Sequence, residues 1–199
     1  SGSKASGGAD ASVTAGHRPR TRAALLGTVG ELKERLPSDL DVHAEQDSQA
    51  TSEVMRRVLR AECARFNRLL GVVRKSLSEL DLALQGKVVM SAEQDEEAEA
   101  LLHGRLPPTW KRRCFRTLKP VGSWFADLLV RVQWFEGWLQ KGQPASLFLA
   151  GLFFPQALFT GVAQAYALRH GVAIDQLGQL TLPVPALRAP EHAHAPPAD

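Results

Sequence analysis

Three short runs hold the residue types best suited to chemistry. Glu191, His192 and His194 bring two imidazoles and a carboxylate close together, a set that could loosely hold a divalent metal. They sit in a Pro/Ala-rich stretch with no core-forming pattern, which fits a solvated tail better than a metal site. Lys111, Arg112, Arg113 and Arg116, interleaved with Trp110 and Phe115, form the one run resembling a nucleic-acid surface. The other reading is a charged connector whose cations meet an acidic neighbour. Glu93, Asp95, Glu96, Glu97 and Glu99 could be that neighbour, or simply a solvated helix face that completes the N-terminal dipole. The formal net charge of +3 is small for 199 residues, which favours the connector and argues against a nucleic-acid partner. The third run, Trp124 to Trp138, is an aromatic cluster better read as packing than as a ligand cage.

Other chemistry is missing from the sequence. There is no GxxxxGK[ST] loop to cradle a nucleotide triphosphate, and no GxGxxG, GxSxG or HExxH. The chain alone is not expected to hydrolyse ATP, and no catalytic, cofactor-binding or metal-ligating residue is assigned. His17, His43, His103 and His170 are scattered. Cys63 and Cys114 lie far apart without CxxC spacing, as expected of reduced thiols in an intracellular compartment.

The elements that must position these residues read as helices. Hydrophobic residues make up 44% and charged residues 23% of the sequence, ordinary globular values. Residues 1–22, rich in Gly, Ala and Ser, are expected to be a disordered tail, a cloning remnant or the cut edge of a longer protein. Leu25, Leu26, Val29, Leu32 and Leu36 predict a short amphipathic helix from about Ala23, stopped by Pro37. Met55, Leu59, Cys63, Phe66, Leu70, Val73, Leu77, Leu80 and Leu84 recur at steps of three and four and predict one long helix near 52–85. Such a helix needs a large body to lie against or a coiled-coil partner, and Gly71 in its middle suggests a close helix contact. Ser91 and Gln94 have capping-box spacing, which starts a helix over 92–103. The basic connector is expected to be irregular, and Pro120 and Gly142 bracket a helix whose apolar face is Trp124, Leu128, Val132, Phe135 and Leu139.

Residues 144–168 carry no charged group, a run long enough to pose the question of a membrane span. Pro155 near the midpoint and a stripe of Gln156, Thr160 and Gln164 argue against one, and predict two short core helices, 144–153 and 156–170. The expected architecture is all-α, with about five or six helices.

Several ordered motifs carry a family resemblance. RFNRLL (65–70), G-x-VVMS (86–91), a turn ending at Trp110, LKP-x-x-SW (118–124), DLL-x-R (127–131) and FFPQ-x-x-x-TG-x-x-Q-x-YA (153–167) closely resemble the C-terminal region of dynein heavy chains of the axonemal type. GELKERLPSDLDV (30–42) resembles the end of the small helical subdomain of the sixth AAA+ module. The resemblance divides the sequence into that subdomain end (23–47), the helical part of the dynein C-terminal domain (48–180) and a Pro/Ala-rich linker (181–199), with the family's β-barrel absent. It implies a structural and regulatory segment that braces the AAA+ ring of an ATP-driven, minus-end-directed microtubule motor. It implies partners in the remaining AAA+ modules, with microtubules and intermediate and light chains reached through the parent. The setting would be the axoneme of a cilium or flagellum; ATP and magnesium would belong to the parent. Phe148 and Ala150 depart from the Trp and Ser common in the family. A free-standing helical interaction module with the same fold stays open as the alternative.

Overall fold

The computed structural model describes residues 19–42 and 53–178, so the linker 181–199 and residues 1–18 of the expected tail lie outside the described residues. Among the described residues there are six α-helices, two 3₁₀ turns and no strand: α1 Pro19–Arg35, α2 Glu53–Leu84, α3 Ala92–Leu102, α4 Pro108–Lys111, α5 Val121–Lys141 and α6 Pro155–His170. The all-α expectation holds, although the helices are not all the expected ones.

The spine is α2. Its 32 residues reach about 48 Å at the α-helical rise. All nine residues of its predicted stripe are buried. The body it lies against is the rest of this protein, since α1, α3, α4 and α6 all pack on it. Phe66 is central: its ring stands 5.0 Å from Phe135 of α5 and 4.6 Å, edge-on, from Phe153 before α6. Truncating such a core aromatic typically costs about 3–5 kcal/mol. Gly71 is not a close contact, because a Cβ there would meet nothing within 4 Å. The tight helix approach is at Gly161 of α6, where a Cβ would stand 3.0 Å from Val58 Cγ2.

On one side of the spine, α1 buries Leu25, Val29 and Leu32 and ends before Pro37. The helix begins at Pro19, earlier than the sequence suggested, so residues 19–22 belong to the fold. The reason is tertiary: Arg22 Nε donates to the carbonyl of Leu84, where the C-terminal end of α2 favours a cation. The segment after α1 is then pinned by Asn67 of α2. Its Oδ1 accepts the Leu40 N–H at 2.8 Å and its Nδ2 donates to the Leu40 carbonyl at 2.9 Å.

The Ser91–Gln94 capping box forms as its spacing predicts and starts α3. The connector holds one helical turn, α4, where full irregularity was expected. Pro120 and Gly142 bracket α5. The main departure is at 144–153, which is not a helix. It runs mostly without regular structure, with one 3₁₀ turn at Leu149–Gly151, and its last backbone amide, that of Phe153, is taken by a side chain of α2.

Candidate functional site

That residue is Glu62. It lies on the buried face of α2, one turn from Leu59 and one from Phe66, and is fully buried. One oxygen, Oε2, accepts the Phe153 N–H at 2.6 Å; the other, Oε1, accepts the Phe154 N–H at 3.2 Å and Arg65 Nη1 at 2.9 Å. A carboxylate at the start of α6 satisfies donors that the helix cannot and complements its dipole. Pro155 opens the helix, where its missing N–H costs nothing. Glu62 therefore clasps the FFPQ segment to the spine.

Beyond the clasp, α6 turns three faces outward or inward. Leu158 and Gly161 are buried toward α2, while Gln156, Thr160 and Gln164 form the exposed polar stripe the spacing predicted. The third face carries Phe159, Val162 and Tyr166, each 41–51% exposed. Phe154 at the start of the helix is also half exposed, with the Arg65 guanidinium 5.8 Å from its ring. The uncharged run is therefore only partly core. Gly171, at φ 64°, ends the helix in the left-handed conformation. Among the described residues no helix is long and apolar enough to cross a membrane.

A second buried carboxylate joins α2, α3 and α4. Ser76 Oγ donates to Glu97 Oε2 at 2.7 Å and accepts the Trp110 indole N–H at 2.9 Å. Thr109 donates its hydroxyl to the other oxygen of Glu97. One member of the acidic run thus serves the interior, with 4% of its surface exposed. Each oxygen of both buried glutamates accepts a hydrogen bond, so in this arrangement they hold elements together.

The basic connector is partly neutralised by the acidic helix, as Arg112 meets Glu93 at 3.4 Å and Arg105 meets Glu99 at 4.0 Å. Its aromatics do not join a surface. Trp110 is fully buried against Trp124, and Phe115 lies under the Arg131 guanidinium at 3.8 Å. The expected interleaving is therefore of exposed cations with core rings. Arg131 itself pairs with Asp127 at 3.1 Å.

Neither cysteine forms a disulfide; Cys63 is fully buried, and partial burial pushes the Cys114 thiol up from its ordinary value. Among the described residues no group of His, Cys, Asp and Glu could hold a metal ion, and Glu191, His192 and His194 lie outside them. His103 caps the end of α3, its Nδ1 2.8 Å from the Glu99 carbonyl.

Glu62 and Ser76 were not singled out in the sequence, and Arg131 entered only as the last position of DLL-x-R, yet each had a further signal. They occupy the core-facing spacings 59–62–66, 73–76–80 and 128–131–135, where a polar residue interrupts an apolar stripe.

The sequence matches the family of C-terminal domains of dynein heavy chains over residues 2–199. It is 38% identical over 150 residues to dynein axonemal heavy chain 3 of Mus musculus, a match that takes in 74% of this protein and 4% of that relative. With dynein axonemal heavy chain 12 of Mus musculus the identity is 33% over 181 residues, 90% of this protein and 6% of the relative. With dynein axonemal heavy chain 1 of Homo sapiens it is 40% over 125 residues, 63% of this protein and 3% of the relative. The sequence spans between 3% and 6% of the length of these relatives. The matched span takes in the Asn67 clamp, the Glu62 clasp and all six helices, and the protein belongs to the family of dynein C-terminal domains.

Proposed function

We propose that this protein is the C-terminal structural and regulatory segment of an axonemal dynein heavy chain, bracing the AAA+ ring without catalysing hydrolysis itself. The observation that carries the reading is α6, a helix fixed at its start by Glu62 yet presenting Phe159, Val162 and Tyr166 to the outside. An apolar ridge on a rigidly held helix is suited to lie against a neighbouring module. On this reading α1 and the segment after it, up to residue 47, continue the small helical subdomain of the sixth module. Residues 48–180 are the brace and 181–199 the linker. Nucleotide and magnesium would be bound elsewhere in the parent, whose minus-end-directed movement on microtubules would drive a cilium or flagellum.

The test is a motor-competent dynein that includes this segment with Phe159, Val162 and Tyr166 changed to Ser. The expected outcome is an intact fold, with microtubule-stimulated ATPase and gliding velocity altered together. Unchanged values of both would refute the brace. ATP turnover by the isolated 199-residue protein would refute its non-catalytic role.

A further inference from the structure

The segment between α4 and α5 carries more positive charge than its neighbours neutralise. An open groove of about 710 Å³ lies between this segment and α5, lined by buried Phe115 and the exposed cations Lys111, Arg116 and Lys119. Asp127 is its only carboxylate among the lining residues, and it already serves Arg131 at 3.1 Å. Lys119 reaches the same carboxylate at 3.7 Å while half exposed, a weak pairing in water. Lys111 and Arg116 form no ion pair among the described residues. Between these cations Leu118 is fully exposed, and it also lines a second open groove of about 910 Å³ toward α3.

We propose that this ridge and groove dock an acidic peptide segment of another protein. Its carboxylates meet Lys111, Arg116 and Lys119, and an apolar residue of the segment packs on Leu118. Charge complementarity of this kind steers encounter and selects partners, while the apolar contact adds to residence. A nucleic acid fits the same surface poorly. Binding single strands requires open aromatic faces for bases, and Phe115 is 5% exposed beneath Arg131, while Trp110 is fully buried.

Fluorescence anisotropy on the full 199-residue protein tests the proposal, with a labelled peptide of alternating glutamate and leucine, its glutamine counterpart, and a mixed-sequence single-stranded DNA. The expected result is salt-sensitive binding of the glutamate peptide alone. It should weaken about tenfold in K111E/R116E, as the reversal of two rim charges allows, and also in Leu118→Ser. All three positions are exposed, so the fold should survive. The control R57E/R68E reverses exposed charges on α2 and should bind as the parent does. Equal weakening in that control, no effect of K111E/R116E, tighter binding of DNA than of peptide, or no peptide binding at low salt would each overturn the proposal.

Discussion

Replacing Glu62 with Ala should loosen α6 from the spine. Glu62 is fully buried, its carboxylate accepts two backbone N–H groups, and its pair with Arg65 is partly shielded. Arg65 is 35% exposed and can turn to water when its partner goes. The amides of Phe153 and Phe154 have less freedom, since Phe153 stays packed on Phe66 and Phe115. A stranded buried donor costs about 1–3 kcal/mol, and the lost bonds were charge-assisted, so the expected loss is about 4 kcal/mol. Glu62→Gln should cost less, about 2 kcal/mol, because its carbonyl oxygen still accepts one amide while its NH₂ group faces another donor. Urea unfolding followed by circular dichroism gives these differences. Hydrogen exchange at residues 153–160 gives the location, and protection there should fall before protection in α5. A Glu62→Ala variant within about 1 kcal/mol of the parent, with exchange unchanged in α6, would refute the clasp.

Two further outcomes are expected. Ser76→Ala removes one small group but leaves the Trp110 indole and a Glu97 oxygen each short of a partner, so it should destabilise by about 2–4 kcal/mol in the same unfolding assay. The hydrogen bond from Lys33 holds the Asp81 carboxyl below its ordinary value, so its contribution to stability is present above the ordinary carboxylate range and lost as pH falls through the depressed value. Asp81→Asn should therefore cost about 0.5 kcal/mol at neutral pH, with the difference from the parent fading in strong acid. A difference that grew with acidification would contradict the assignment.

Periodicity was a sound guide wherever local forces and packing agreed. The stripe of α2 faces the core at every predicted position, and α3 starts at its capping box because that signal is contained in four residues. It was a poor guide where a distant group decided the matter. Nothing within 144–153 reveals that a carboxylate on α2 takes the amides of Phe153 and Phe154, and the apolar run read as helix is an irregular segment. The start of α1 likewise depends on the carbonyl of Leu84. In the connector, cations and rings adjacent in sequence part company because Trp110 serves the Glu97 cluster and Phe115 stacks on Trp124. The buried polar residues were legible as breaks in the stripes, although their partners were not. The family motifs gain a physical meaning here: Asn67 in RFNRLL clamps the backbone of Leu40, and Phe153 in FFPQ meets the clasp.

Glu62 and Phe153 are 91 residues apart in sequence. At roughly 5–20 residues per second, a ribosome needs about 5–18 seconds to supply the second half of that contact after the first has been made. During that interval the apolar stripe of α2 lacks its contacts with α5 and α6, and α1, α3 and α4 cover only part of it. The nascent polypeptide therefore holds an amphipathic helix about 48 Å long in an incomplete state until α5 and α6 arrive. Closing so long a loop is costly in chain entropy, which places the Glu62 clasp among the last contacts of the domain to form.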